Sequence, residues 1–337
     1  MRRVRADEVA QLAGVSRSTV SRVFTPSTYV AEQTRSKVMH AAELLGYRPN
    51  VIARSLTMRR TRLVGVVTGH LENPAHATLV RQIAAGLQDE GLATLLVTAH
   101  YNELDRVLQS LMSYQIDAMV VTSAVPVGRI SLECEKAGIP LVVTNKQPEP
   151  VGGMMIHGDD VLGVGLVTDH LVAEGWKRFA YISGLPDVPN SSERENVYTL
   201  ALARHGIPLM AREYGNYTYE DATGAMRALL SRPMRPDAVF CANDIMAIAA
   251  LDVARLDFGL TPGVDIAVVG YDDTPLASVR SYDLTSVRQN VPGIIKGIVT
   301  FIAESGWDNP SANRVQTIPP ELVVRSSSVR AGKTDTP

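Results

Sequence analysis

The chain has 337 residues, enough for two or three domains, with 45% hydrophobic and 20% charged residues. That composition excludes disordered and fibrous classes. The longest apolar runs, such as 63–67, are strand-sized, well short of the roughly 18 residues a membrane helix needs, so no membrane partner is expected. The opening MRRVRADEVA has basic residues but no apolar core behind them and does not read as a signal peptide. Two cysteines, Cys134 and Cys241, cannot build a disulfide framework or a thiolate metal cage, which points to a reducing, cytoplasmic compartment.

The net charge of −2 conceals an asymmetry. Residues 1–60 hold eleven Lys/Arg against four Asp/Glu, a net +7, and the remainder holds 22 against 31, a net −9. A basic head on an acidic body points to a polyanion partner for the head alone.

Residues 7–13 read as a short helix with Asp7 and Glu8 in its first turn, where the helix dipole favours carboxylates. Gly14-Val15-Ser16 then makes a tight turn, and Ser16 sits where an N-cap is needed for a second helix over 17–24. Ala10, Val15, Val20 and Val23 supply the contacts between the two helices, which is a helix-turn-helix arrangement. The second helix turns Arg17, Ser18 and Arg22 outward with no evident partner in so small a core, and Arg grips guanine O6 and N7 bidentately. A third amphipathic helix fits 32–45, with Val38, Ala41, Ala42 and Leu45 on one face and Gly46 as its stop.

Pro49 ends this bundle, and Asn50 can cap a short helix over the following residues. Two turns of helix are marginal alone, which suits coupling of folding to binding. With DEVAQLAGVSRSTVSRVF and AAELLGYRPNVIARSL both in view, the chain resembles the lactose-repressor (LacI-type) family of bacterial transcription regulators along nearly its whole length.

The resemblance implies that Arg17, Ser18 and Arg22 read the major groove, within a DNA-contacting set of Ser16, Arg17, Ser18, Ser21, Arg22, Asn50, Arg54 and Leu56. It implies that Leu56 of each subunit wedges into the operator's central minor groove and kinks the duplex. The sequence departs from the family at Phe24-Thr25-Pro26, where Leu-Asn-Gly is commoner.

From residue 63 the acidic body alternates strand and helix patterns. Strands are expected at 63–67, 94–98, 118–122 and 141–144, then at 179–183, 238–241 and 266–270; all are apolar runs without alternation, as in buried parallel sheets. Helices are expected around 162–174, 196–205 and 245–258, and Leu79, Ile83 and Leu87 fall at four-residue spacing. The expected fold is α/β: an all-α helix-turn-helix head over 1–49, a hinge helix and linker over 50–60, and an effector-binding and dimerisation domain of two doubly wound subdomains over 61–330, with a flexible tail at 331–337. Ligand sites belong at the C-terminal ends of such strands.

The body is similar to the periplasmic-binding-protein fold that this family uses for effectors. The matching motifs are Glu72-Asn73-Pro74, Gly138-Ile139-Pro140, Asp159-Asp160, Arg194, Asn243-Asp244, Gly270-Tyr271-Asp272-Asp273 and 284–289. The resemblance places His76, Tyr101, Ser123, Arg194, Tyr219, Asn243, Asp272 and Gln289 near the effector. These types suit a hydroxyl-rich ligand: Asp272 accepts, Arg194 donates in a fixed fork, Asn243 does both, and Tyr219 offers a flat face to a sugar ring. Asp244 reads instead as a helix cap, and His157 as a polar strand-end residue. Ala75-His76 replaces the family's usual aromatics, Val197 its usual Gly, and Trp176 its usual Gly-His, which implies a reshaped pocket open to a sugar or a sugar acid.

An enzyme is disfavoured, since no dinucleotide fingerprint, P-loop or nucleophile elbow is present. A free-standing transport protein would leave the basic head unexplained. Neither cofactor nor metal is expected, because none of the seven His is spaced with Cys or acid as a metal site requires. The expected partners are double-stranded operator DNA, a small-molecule effector and a second copy of the chain, with induction the expected sign. Apolar faces at 79–87 and 245–251 are the expected pairing surfaces, and the tail after Val324 lacks any heptad seam.

Overall fold

The computed structural model describes residues 4–24, 28–48, 60–69, 71, 73–98, 104–122, 127–144, 152–186, 189–305 and 313–331. The chain divides into two units, Met1–Arg62 and Leu63–Pro337.

Among its described residues the first unit holds three helices: α1 (Ala6–Ala13), α2 (Arg17–Val23) and α3 (Glu32–Leu45). Gly14 closes α1 and Gly46 closes α3, each in the left-handed region where a Cβ is unfavourable. Val9, Val20 and Val38 are fully buried, one from each helix, and Ala10, Ala41 and Ala42 allow the helices to approach. The Arg35 guanidinium donates to the Val23 carbonyl at 3.0 Å, occupying an acceptor that the end of α2 would otherwise leave open. The Phe24 and Tyr47 rings lie 5.7 Å apart and tie the ends of α2 and α3 together.

The second unit contains twelve strands among the described residues. In chain order these are β1 (Leu63–Thr68), β2 (Ala93–Thr98), β3 (Ala118–Val121), β4 (Leu141–Val143), β5 (Met154–Gly158) and β6 (Phe179–Ser183). They continue with β7 (Ala211–Tyr214), β8 (Ala238–Cys241), β9 (Ala267–Tyr271), β10 (Thr285–Arg288), β11 (Arg314–Ile318) and β12 (Glu321–Val323). The helices are α4 (Pro74–Asp89), α5 (Leu104–Ser113), α6 (Gly128–Ala137), α7 (Asp160–Ala173), α8 (Pro189–Arg204), α9 (Tyr219–Leu230), α10 (Asp244–Asp252) and α11 (Val291–Thr300).

The strands form two six-stranded sheets, ordered β11-β5-β4-β3-β1-β2 and β12-β10-β9-β8-β6-β7. Every pairing is parallel except β10 with β12. The chain passes between the sheets three times: after β5, after β10, and across Pro319-Pro320 between β11 and β12. Apolar side chains cover both faces of the first sheet, Leu111, Met119 and Ile130 on one and Val66, Ile83 and Ile294 on the other. One continuous cluster that includes Trp176, Tyr181 and Phe240 surrounds the second.

Three expectations change. β2 is not a buried strand: it is the edge of its sheet, and Ala93, Leu96 and Thr98 are exposed. α8 begins at Pro189 rather than near 196, since proline fits the first helical position, and the helix from Asp244 gives way to a π-helical turn at Val253–Asp257. The apolar stretches at 79–87 and 245–251 are spent on the protomer's own core: Ile83, Leu87, Met246 and Leu251 are fully buried. On the same stretch as Ile83 and Leu87, Leu79 and Ala84 are partly buried and Ala85 is exposed.

Candidate functional site

In the head, Ser16, Arg17, Ser18, Ser21 and Arg22 are all exposed along the start and outer side of α2. Ser16 caps the helix by accepting the Thr19 amide at 3.2 Å, and its hydroxyl also meets those of Ser18 and Thr19 at 2.8 and 2.9 Å. Arg17 does have a partner: its Nε lies 3.6 Å from Asp7 Oδ1, with both side chains exposed. A pair of that kind contributes about 0–1 kcal/mol and yields readily to a stronger anion. Asn50, Arg54 and Leu56 lie outside the described residues.

The second unit carries a cleft of about 870 Å³. Six of the effector residues expected from the sequence, His76, Arg194, Tyr219, Asn243, Asp272 and Gln289, line it together. Tyr101 and Ser123 lie outside the described residues. The wall from the first sheet carries His76, Thr122, Thr144 and His157, and the wall from the second carries Arg194, Tyr217, Asn243 and Asp272. Apart from Arg194, which projects from within α8, these residues lie at strand ends, in the loops after them or at helix starts, where a parallel sheet exposes its loops.

Arg194 is 8% exposed and fixed on several sides. Its Nε donates to Asp160 Oδ1 at 3.1 Å, its Nη1 to the Ala242 carbonyl at 2.8 Å, and its guanidinium carbon lies 3.7 Å from the centre of the Tyr271 ring. Tyr271 in turn donates its hydroxyl to Asp160 Oδ1 at 2.5 Å. Asp160 therefore fixes the fork from below, and its charge helps hold Arg194 protonated against the cost of burial.

Asp272 sits at φ 112° and Asp273 at φ 48°, conformations that L-residues adopt only when surroundings enforce them. Asp272 Oδ1 accepts from Gln289 Nε2 at 2.8 Å. Burial, with the nearby Asp160 charge, pushes its carboxyl up to about 6, although Arg194 and Gln289 oppose the shift. Asp273 is held by Arg288 Nε at 2.6 Å and Arg325 Nη1 at 2.7 Å.

Asn243 caps α10 through its Oδ1, which accepts the Met246 amide at 3.1 Å. Its Nδ2, buried at the cleft wall, has no hydrogen-bond partner among the described residues. On the opposite wall the hydroxyl of Thr144, 6% exposed, likewise has no partner among the described residues. Unsatisfied buried groups of this kind cost free energy unless a ligand or water completes them. Asp244 is not the cap expected from the sequence: it is 1% exposed and accepts from the Ser286 hydroxyl and the Thr274 amide.

The sequence reading missed Thr144 and Tyr217. Tyr219 is exposed at the first turn of α9, with its hydroxyl donated to Asp252 at 2.9 Å, whereas the Tyr217 ring packs against Gly184, whose hypothetical Cβ would lie 2.1 Å away. Thr218 caps α9, accepting the Asp221 amide at 3.1 Å. A Thr-x-x-Asp signal therefore marked Tyr217 as the last loop residue. Two of the three departures from the family lie outside the lining. Trp176 is buried, donates to the Ser328 carbonyl at 2.9 Å and stacks under Arg330, and Val197 packs against the core. Only Ala75 and His76 reshape the cleft itself.

Residues 6–50 match the family described as bacterial regulatory proteins, lacI family, and residues 168–328 match the periplasmic binding protein-like domain. The ribose operon repressor of Escherichia coli K12 is 33% identical over 288 residues, covering 84% of this chain and 87% of that protein. The chain belongs to the LacI family. Among solved structures, the lac repressor dimer bound to operator and the anti-inducer ONPF aligns with a TM-score of 0.87 at 26% identity, covering 97% of this chain and all of that one. The CelR–cellobiose complex aligns at 0.72 and 30% identity, covering 96% and 100%. LacI-family members are DNA-binding transcription regulators rather than enzymes, and this regulator has their two α/β layers and their helix-turn-helix head. No described helix is long and apolar enough to cross a membrane.

Proposed function

We propose that this LacI-family regulator is a homodimeric repressor whose cleft binds a sugar and whose operator affinity falls when it does. The observation that carries this is a pair of groups lining one cleft, Asn243 Nδ2 and Thr144 Oγ1, that have no partner among the described residues, beside the prepositioned Arg194 fork and the Asp272 carboxylate. A ligand with hydroxyls on two sides satisfies both walls at once. It thereby favours one setting of the two subdomains, and shifts the equilibrium only by that differential affinity.

A neutral sugar fits better than a sugar acid at the Arg194 end. Asp160 and Asp272 already stand against a single guanidinium there, so a third carboxylate would be repelled. A sugar acid would have to direct its carboxylate to the opposite wall, towards His76 and His157. The CelR structure with cellobiose and the name of the ribose operon repressor support the sugar class.

On DNA, the proposed register puts Arg17, Ser18 and Arg22 in the major groove of each half-site of a palindrome, with Asn50, Arg54 and Leu56 at its centre. The lac repressor dimer on its operator supports that arrangement. The test is to select an operator from random duplex DNA and follow its binding by fluorescence anisotropy against D-ribose, cellobiose, lactose, D-gluconate and adenine. Release by a neutral sugar supports the proposal. Release by adenine alone, or no response to any sugar, contradicts it.

A further inference from the structure

Asp244 is a buried carboxylate that no described Lys or Arg pairs with, and it does not serve as the helix cap, which Asn243 supplies. A buried charge of this kind costs more than an apolar side chain of the same size, so its contacts must account for it. Those contacts converge on one loop. Oδ2 accepts the Thr274 amide at 2.6 Å, and Oδ1 accepts the Ser286 hydroxyl at 2.5 Å. The Ser286 oxygen in turn accepts the Asp273 amide at 3.0 Å. Two successive amides of the turn that follows β9 are thus held by one carboxylate, one directly and one through a hydroxyl.

That turn contains the two positive-φ aspartates, Asp272 and Asp273. The strand leading into it passes so close that a Cβ at Gly270 would lie 2.4 Å from Asp244 Oδ1. We propose that Asp244, with Ser286 as its relay, is a positioning residue for effector binding: it enforces the turn that presents the Asp272 carboxylate to the cleft. This rests on the cleft being the effector site. Asp244 itself is separated from the ligand by the turn it holds.

The experiment compares Ser286→Ala and Asp244→Asn with the unmodified full-length protein. Calorimetric titration with D-ribose, cellobiose and lactose reads effector binding, anisotropy reads operator binding without sugar, and amide hydrogen exchange reads the turn. Each variant should weaken sugar binding about ten-fold, roughly what one hydrogen bond to a charged group is worth, while operator affinity stays within two-fold. The Asp273 and Thr274 amides should lose protection in both variants. On an Asp272→Asn background Ser286→Ala should add little, because its effect runs through Asp272. Unchanged exchange at both amides in a folded Ser286→Ala protein overturns the proposal, and so does full additivity with Asp272→Asn. If Asp244→Asn fails to fold, Ser286→Ala decides. If none of the sugars binds the unmodified protein, the sugar assignment fails, and the exchange data still decide the role of Asp244.

Discussion

Arg194 and Asp160 face each other at 3.1 Å with side chains only 9% and 12% exposed, joining the first turn of α7 to the middle of α8. Asp160 begins the helix that leads from the first sheet to the second, so the cleft's main donor is anchored on a crossing between subdomains. Removing either partner alone leaves an uncompensated buried charge. Arg194→Ala or Asp160→Ala should therefore cost about 3–5 kcal/mol, more than an Arg194→Met/Asp160→Leu double variant. Denaturant unfolding of the three proteins gives the comparison, and equal stability of singles and double removes the pair from the account. Arg194→Lys keeps the charge but loses the fork, and should bind sugar more weakly in calorimetry.

The carboxyls of Asp272, at about 6, and Asp244, at about 7, both lie above the ordinary value of 3.8. The folded body therefore binds more protons than the unfolded chain between about pH 4 and 7, and stability from these groups is lost as pH rises through that window. Sugar binding has the opposite sign, because an ionised Asp272 is the better acceptor of ligand hydroxyls. Affinity measured from pH 5 to 8 should fall below about pH 6, and Asp272→Asn should flatten the profile. A profile that persists in Asp272→Asn would contradict the assignment of the titration to Asp272.

The head should respond to its cap and its reading residues in different ways. Ser16→Ala removes the acceptor of the Thr19 amide and should cost about 0.5–2 kcal/mol of head stability, measurable by thermal melting. Arg22→Ala should leave melting unchanged but cost about 1–3 kcal/mol against one base position of each half-site. Uniform weakening on all sequences would make Arg22 a phosphate contact.

Trp176 should matter for stability and not for ligand. Its Nε1 holds the Ser328 carbonyl, and Ser327, Ser328 and Arg330 bond to Thr285, Val268 and Glu174, so the segment after β12 is fastened to the body. Trp176→Phe leaves that buried carbonyl unpaired, a loss of about 1–3 kcal/mol, with sugar affinity unchanged in calorimetry. A ten-fold change in sugar affinity would restore Trp176 to the cleft.

Much of this was legible because local signals agreed. Gly14, Ser16 and Gly46 fix the ends of three helices through backbone geometry and capping, so α3 falls on its expected residues. The apolar runs of β6 and β8 are likewise read in place, since a strand buried on both faces has no alternation to confuse. β11 and β12 were invisible: Arg314–Ile318 is an edge strand with four exposed residues, and β12, Glu321-Leu322-Val323, is too short to show a pattern. At the site, Asn243 and Asp272 stood at strand-end motifs, and Arg194 was singled out by the family resemblance. Thr144 ends an expected strand too, but neither its role nor that of Tyr217 shows locally, since each depends on the cleft and on what packs beside it, Gly184 in the case of Tyr217. The role of Asp244 was misread for the same reason, since its partners Thr274 and Ser286 lie 30 and 42 residues away in sequence.

The most direct test is anisotropy of a labelled, selected operator with the unmodified protein and with Asp272→Asn, each titrated with D-ribose, cellobiose and lactose. Both proteins should bind the operator equally without sugar. At least one sugar should then release the unmodified protein, while Asp272→Asn stays bound through the same concentrations. Release of both proteins at the same sugar concentration would contradict it.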